Sequence, residues 1–207
     1  MYSPKNYRND NTEEIYEFVR QNSFGIMVSQ VDNRPWATHI PLYLNVDDKG
    51  KTTLSGHISK VNPQWKEFNA EEEVLVIFQG AHTYISPSWY DHENVPTWNY
   101  LAVHVYGTVK LIEGDELYDS LSKLVDKYEV NSQNPVSVHS MSQEMVRKEM
   151  KGIIGFEIEI KEIQATYKLS QNRNKHNHSL IIDQLEKKSD ENACQIAQEM
   201  RKRVPEK

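Results

Sequence analysis

The hydrophobic positions of the chain change period several times, and each change predicts a new element. Thr12 can cap a helix, and the apolar residues at 15, 18 and 19 follow with helical spacing. From Phe24 to Val28 the period falls to two, which indicates a strand, and a turn follows at 31–34. Alternation resumes over 37–44 and, after a turn at 47–50, over 52–58. These segments predict a β-meander.

The second half of the chain continues with longer elements. Strands are predicted at 74–78, at 99–112 and at 154–160, with a further strand ending near 168. Helices are predicted at 114–128, near 142–150 and in the charged C-terminal segment, where Ala193, Ile196, Ala197 and Met200 share one face. A short helical segment opens at Asn62–Pro63, because asparagine is a good N-cap and proline suits the first helical position.

Six or seven strands with helices at the periphery predict an α+β protein that is mainly antiparallel β. A closed antiparallel barrel is favoured, and an open α+β sheet is the alternative. Since nothing reads as alternating βαβ units, the pattern disfavours a Rossmann-type nucleotide site. We assign residues 1–173 to the barrel domain, and residues 174–207 to a C-terminal helical extension packed on the same domain.

Charge and composition narrow the class of protein further. The chain has 24 lysines and arginines against 30 aspartates and glutamates, a net charge of −6, which disfavours binding to DNA through its phosphates. Cys194 is the single cysteine, so no intramolecular disulfide is possible. No apolar run approaches the roughly 20 residues that span a bilayer. These features predict a cytoplasmic protein without a membrane partner.

Common catalytic and metal-binding motifs are absent from the sequence. There is no phosphate-binding glycine loop, no nucleophile elbow and no zinc-protease helix motif, so catalytic residues cannot be assigned. His82, His92 and Glu93 could converge on a metal, and His176 with His178 could form a loose chelate. Their spacing matches no compact zinc pattern, and we therefore predict no metal site.

Four segments differ from ordinary core sequence because polar, aromatic, proline and glycine residues are concentrated in them. They are 35–41, PWATHIP; 54–65, LSGHISKVNPQW; 84–90 with 95–100, YISPSWY and VPTWNY; and 168–173, KLSQNR.

The second of these segments is suited to an anion. Ser59 and Lys60 lie at the end of a predicted strand, just before the helix that starts at Asn62, and Ser55 and His57 share one face of that strand. Hydroxyls, a cation and free backbone amides together suit a phosphate monoester. The alternative is a Ser/Asn turn with a solvated lysine, and spacing alone favours that alternative.

The other segments also have two interpretations. The tryptophan-rich stretch could supply flat walls for a ring system, with Asn99 presenting an amide to its polar edge. The alternative is a proline-stiffened loop that closes the barrel. Lys168, Ser170 and Arg173 could neutralise an anion, although charged strand ends are common.

Taken in order, the strings PWATHIP, LSGHISKVNPQW, FQGAHTYISPSWY, VPTWNY and KLSQNR resemble the PaiB family of FMN-binding negative transcriptional regulators. The resemblance runs from the opening Met-Tyr-Ser-Pro through KLSQNR, and more weakly into the C-terminal helix. It implies an FMN-binding split barrel, similar to pyridoxamine-phosphate oxidases, with FMN as cofactor. It also implies a homodimer with flavin at or near the subunit interface.

The resemblance further implies a set of cofactor-binding residues, divided by the part of FMN that each would contact. Thr38 and His39 would line the site, Ser59 and Lys60 would bind the phosphate, and His57 would lie near it. Trp98 and Asn99 would approach the isoalloxazine, either from the same chain or from the second subunit. Ser170, Gln171 and Arg173 would close the polar end.

The family function is regulatory, with effects on sporulation and on extracellular protease production. The sequence shows no helix-turn-helix and a net acidic charge, so direct DNA binding has little independent support. The first alternative is an FMN-dependent oxidoreductase that acts on an unknown small molecule and regulates indirectly. The second is an interaction module without a ligand, which the retained polar and aromatic strings disfavour.

Overall fold

The structure, a computed structural model, describes residues 1–69 and 71–205. The strands are β1 Arg8–Asn9, β2 Phe24–Val31, β3 Arg34–Pro41, β4 Tyr43–Val46, β5 Thr52–Ser59, β6 Glu73–Ile85, β7 Thr97–Ile112 and β8 Ile153–Lys168. The α-helices are α1 Thr12–Gln21, α2 Gly114–Glu129, α3 Gln143–Met150, α4 Lys175–Glu186 and α5 Glu191–Arg201. Short 3-10 helices include Pro63–Glu67 and Pro87–Trp89. No helix in these two ranges is long and apolar enough to cross a bilayer.

The strands form one sheet in the order β3-β2-β6-β7-β8-β5-β4, and β1 pairs with β8. The pairs β2–β3, β2–β6, β4–β5, β5–β8 and β1–β8 are all antiparallel. The predicted α+β class with a mainly antiparallel sheet is therefore confirmed.

The single strand predicted over 37–44 is wrong, because the chain forms two strands there. β3 ends at Pro41 and β4 begins at Tyr43, and these strands occupy opposite ends of the strand order. Only Leu42 separates them, and its backbone N–H donates to the Ser23 carbonyl at 2.9 Å. Pro41 cannot donate a ladder hydrogen bond, so the pairing with β2 ends there. The sheet therefore turns back on itself within one residue.

The tight turns predicted between the first strands are confirmed. Asp32 and Asn33 join β2 to β3 with φ of 52° and 59°, the left-handed conformation that two-residue hairpins need. Gly50 has φ of 79° in the turn before β5. The Asp47 carboxylate accepts backbone N–H groups from Lys49 and Lys51 at 2.9 and 2.8 Å. These contacts fix the register of β4 against β5.

The two strands predicted in the region 154–168 are one continuous strand, β8, of 16 residues. Exposed residues at 161 and 162 interrupt its alternation of buried positions, which made the sequence look like two strands. β6 is likewise longer than the apolar run at 74–78 that predicted it. The predicted helices at 114–128 and 142–150 are confirmed as α2 and α3.

The described chain divides into two compact units. The first unit comprises 1–18, 79–103 and the chain from Gln164 onward, and the second comprises 19–78 and 104–163. The first unit contains α4 and α5, and the face of α5 predicted to be apolar is buried. The domain boundary at residue 173 stays a prediction.

Candidate functional site

The predicted cofactor-binding residues fall into two groups, one in each compact unit. The second unit holds Thr38, His39, His57, Ser59 and Lys60, and the first unit holds Trp98, Asn99, Ser170, Gln171 and Arg173.

In the second unit, the turn after β5 is held in a fixed conformation by backbone hydrogen bonds. The Lys60 N–H donates to the Gly152 carbonyl at 2.9 Å, and the Asn62 N–H donates to the Ser59 carbonyl at 2.9 Å. The Asn62 side chain caps the 3-10 helix by accepting the Gln64 N–H at 3.1 Å, as the sequence predicted. The Trp65 indole donates to the Lys60 carbonyl at 3.0 Å. The position of Ser59 and Lys60 is therefore well defined.

A buried glutamine attaches this turn to the neighbouring hairpin. Gln64 is fully buried, and its carbonyl oxygen accepts the Thr38 hydroxyl at 2.6 Å. Its amide nitrogen donates to the Ser29 hydroxyl at 2.9 Å and to the Met27 carbonyl at 3.4 Å. Asn62 completes the network by donating to Thr38 at 2.9 Å. Thr38 thus holds the turn in place through its hydrogen bonds with Gln64 and Asn62.

The side chains of Ser59 and Lys60 are exposed, and Lys60 borders an open cleft of about 440 Å³. Lys60 lines this cleft together with Trp65, Glu113 and Lys151. Within residues 1–69 and 71–205, the Lys60 ammonium has no ion-pair partner. A free ammonium and an exposed hydroxyl are suitable donors for a phosphate monoester, so these residues fit the phosphate end of FMN.

His57 faces a different cavity. Its side chain lines a mainly apolar space of about 230 Å³ beneath α2 and α3, with walls that include Leu121, Val146 and Met145 and one charged residue, Glu149. Burial lowers the pKa of His57, so its imidazole is neutral at pH 7. His57 is therefore a neutral imidazole among mainly apolar side chains. A direct contact between His57 and the phosphate of FMN stays a prediction.

His39 lies on the outer strand β3, where the side chains from 34 to 37 are also exposed. Its ring centroid is 6.3 Å from that of Phe24, which is 64% exposed. Trp36 on the same strand is 38% exposed. The strand thus presents aromatic side chains to solvent at one end of the strand order.

In the first unit, β7 places Trp98 and Asn99 on opposite faces. Trp98 is 52% exposed, and its ring centroid is 6.1 Å from those of both Tyr84 and His82. These rings form an exposed aromatic surface that a flat ring system can stack against. Asn99 is fully buried instead, where it accepts the Ser170 hydroxyl at 3.1 Å and donates to the Met200 sulfur at 3.4 Å. The side-chain amide of Asn99 therefore has its hydrogen-bond partners inside the first unit.

The segment after β8 is a tight turn stabilised by its own side chains. Ser170 has φ of 61°, and the Arg173 N–H donates to the Ser170 carbonyl at 3.0 Å. The Gln171 side chain accepts the Leu169 N–H at 2.7 Å and donates to the Tyr167 carbonyl. Ser170 is buried, so Arg173 is the member of this group whose donors remain available to a ligand.

Comparison with solved structures identifies the class of fold. The FAD and heme binding protein from Mycobacterium smegmatis superposes with a TM-score of 0.61 at 14% identity, covering 78% of this chain and 73% of that one. The flavocytochrome Anf3 from Azotobacter vinelandii gives 0.58 at 14% identity, covering 78% and 69%. The molecule therefore has the split-barrel fold that the resemblance implied.

The sequence comparisons then identify the family. A family model described as "Putative FMN-binding domain" matches residues 1–162. Protease synthase and sporulation protein PAI 2 of Bacillus subtilis (strain 168) is 48% identical over 200 residues, 97% of this chain and 96% of that protein. The chain belongs to this FMN-binding family, and its predicted relationship to PaiB is confirmed. FMN is thereby confirmed as the predicted cofactor.

The sequence alone did not reveal Gln64 as an organising residue. Glutamine is usually exposed, and no periodicity distinguishes a buried glutamine from a solvated one. The available signal was its position two residues after the Asn62 cap, where the first helical turn directs it toward the hairpin.

Replacing Gln64 with leucine is expected to destabilise the protein by about 2 kcal/mol or more, because the buried Met27 carbonyl and the part-buried hydroxyls of Ser29 and Thr38 would each lose a hydrogen bond to the amide. Urea unfolding followed by circular dichroism measures the change. The exposed Gln79, changed to leucine, is the matched control and should alter stability by less than about 0.5 kcal/mol. Equal effects of the two substitutions would contradict a structural role for the Gln64 network.

Proposed function

We propose that the protein is an FMN-binding negative regulator of the PaiB type, which affects sporulation and extracellular protease production. The observation that carries this proposal is the 48% identity to the Bacillus subtilis protease synthase and sporulation protein over nearly the whole of both chains. The family model supports the flavin-binding part independently. A cytoplasmic location follows from the same proposal.

The phosphate of FMN is assigned to Ser59 and Lys60. Support comes from the free ammonium of Lys60 at the edge of its cleft and from the hydrogen bonds that fix the turn around it. Thr38 contributes by positioning the turn through Gln64 and Asn62. His39 and His57 are assigned to the surroundings of the cofactor, with a neutral imidazole at His57.

In the first unit, Trp98 is assigned to the isoalloxazine, because its exposed face and its two aromatic neighbours suit a planar ring. Asn99, Ser170 and Gln171 are assigned supporting roles, since their polar atoms bond within the unit. Arg173 supplies a cation that the assignment of the FMN phosphate to Ser59 and Lys60 leaves available. Bound FMN would supply one- and two-electron redox chemistry, which the protein positions and tunes.

A second candidate function is an FMN-dependent oxidoreductase that regulates indirectly by changing a small molecule. The net charge of −6 favours it over direct DNA binding, because an acidic protein gains little from phosphate neutralisation. Reduction of the bound flavin by a nicotinamide donor would support this candidate.

Replacing Lys60 with alanine is expected to weaken FMN binding at least tenfold, because a charged hydrogen bond to phosphate contributes about 1.5 to 3 kcal/mol. Riboflavin, which has no phosphate, should bind the two proteins equally. Flavin fluorescence titration measures both affinities, and Lys66→Ala is the matched control from the same turn. Unchanged FMN affinity in Lys60→Ala would remove the phosphate assignment.

The regulatory role is testable in Bacillus subtilis lacking its PAI 2 protein. Expression of this chain is expected to restore low extracellular protease activity, measured in culture supernatants. If regulation requires FMN, Lys60→Ala should restore it poorly, whereas Lys66→Ala should act like the unchanged protein. No effect of the unchanged protein, at confirmed expression, would count against the proposal.

The homodimer is part of the same proposal, and the exposed outer strand β3 with Trp36 and Phe24 supports it. Light scattering should give about twice the 24.2 kDa of one chain. Trp36→Glu should shift the mass toward the monomer, whereas Val130→Glu, at an exposed helix end, should not. A monomeric mass for the unchanged protein at micromolar concentration would refute the dimer.

A further inference from the structure

Two cations lie close together in the first unit, at the end of β8 and in the turn that follows it. Lys168 is the last residue of β8, and the turn closed by the bond from the Arg173 N–H to the Ser170 carbonyl brings the chain back. The two charges are near enough that Arg173 contributes to lowering the pKa of Lys168, after the larger effect of burial. Such a pair repels unless something negative lies beside it.

The contacts of Lys168 leave its charge without a counterion. Its ammonium donates to the Thr97 hydroxyl at 2.7 Å and lies 5.9 Å from the centre of the Tyr7 ring. An ammonium has three donors, and the Thr97 bond uses one of them. No aspartate or glutamate forms an ion pair with Lys168 in the described part of the chain.

The charge of Arg173 also lacks a counterion among the described residues. Its guanidinium lies 5.1 Å from the centre of the Tyr90 ring, and it too has no carboxylate partner within 1–69 and 71–205. The planar guanidinium presents paired N–H groups that match the oxygens of a phosphate or a carboxylate. Its half-buried position makes such a bond stronger than it would be on an open surface.

Tyr7 is the third polar group of the cluster, because the Lys168 ammonium lies over its ring. Burial raises the pKa of Tyr7, and the positive charge of Arg173 acts in the opposite direction. With its pKa raised, the phenol stays protonated at neutral pH and can donate a hydrogen bond. Among the described residues no carboxylate forms an ion pair with either cation, in a chain with 30 acidic and 24 basic residues.

The alternative is that Lys168 and Arg173 only stabilise the fold, and this alternative explains less of their arrangement than a bound anion does. Contacts with the Tyr7 and Tyr90 rings stabilise each cation, but they do not require the two cations to adjoin. An oxyanion between Lys168 and Arg173 would satisfy their remaining donors and remove their mutual repulsion.

We propose that Lys168 and Arg173, with Tyr7, bind the phosphate or carboxylate group of a small-molecule ligand other than FMN. This inference rests on the proposed function, in which Lys60 binds the FMN phosphate. According to this inference, the protein binds a second ligand in addition to FMN, and that ligand is an anion. The FMN phosphate is the other possible source of the same chemistry, and the experiment separates the two.

The full-length protein, both flavin-free and FMN-loaded, is titrated with inorganic phosphate and with succinate. The backbone amide resonances of residues 168–173, which every variant retains, are followed by NMR. A saturable shift is expected with at least one probe in the FMN-loaded protein, and Lys168→Gln and Arg173→Gln should each weaken binding at least tenfold. Lys168→Arg should retain binding because it keeps the charge, and Lys175→Gln, an exposed nearby lysine, should leave it unchanged. If Lys168→Gln fails to fold, Lys168→Arg and Arg173→Gln decide the question.

Three results would overturn the inference. The first is the absence of a saturable shift with either probe. The second is binding to the flavin-free protein that FMN abolishes, together with a Lys168→Gln variant that loses affinity for FMN but not for riboflavin. That pattern would assign the cluster to the FMN phosphate. The third is an equal loss of binding in Lys175→Gln. Failure of the Lys60 assignment is detected separately, by unchanged FMN affinity in Lys60→Ala.

Discussion

The buried amide of Gln64 is the constraint on which the candidate phosphate site depends. A side-chain amide removed from water must find partners, and this one finds them on Thr38, Ser29 and the Met27 backbone. Because those partners belong to the β2–β3 hairpin, the turn that carries Ser59 and Lys60 cannot move independently of the hairpin. A ligand therefore meets a lysine whose backbone is already positioned, which reduces the entropy lost on binding.

The sequence predicted whether most elements are helices or strands. It failed where the pattern of buried side chains does not match the pattern of strand pairing. Ile40, Leu42 and Leu44 are all buried, so the alternation continues across the break between β3 and β4. Only the missing N–H of Pro41 signalled that the chain was leaving one strand partner for another. The reverse error occurred in β8, where two exposed positions interrupt the alternation but not the strand. Periodicity reports which side chains are buried, whereas hydrogen-bond partners are set by the path of the chain.

The candidate site was predictable to a similar degree. The polar and aromatic strings pointed to the segments that carry Lys60 and Trp98, and the family comparison confirms the cofactor. They could not decide which way each side chain faces. Trp98 and Asn99 are neighbours in sequence, yet one is half exposed and the other fully buried. His57 and Ser59 are two residues apart, but His57 lies among apolar side chains. A histidine or an asparagine in a motif is thus a weaker guide to ligand contact than a lysine, which is rarely buried without a partner.

The single residue between β3 and β4 limits how this family can diversify. Leu42 is fully buried and bonded to Ser23, and the strands on both sides of it are paired with different neighbours. An insertion there would break two registers at once, whereas the exposed turn at 47–50 can lengthen without disturbing either. Length variation among relatives should therefore concentrate in the hairpin tips and avoid Pro41–Tyr43. Alignments of the family can therefore be anchored at residues 41–43, where the chain passes from β3 to β4.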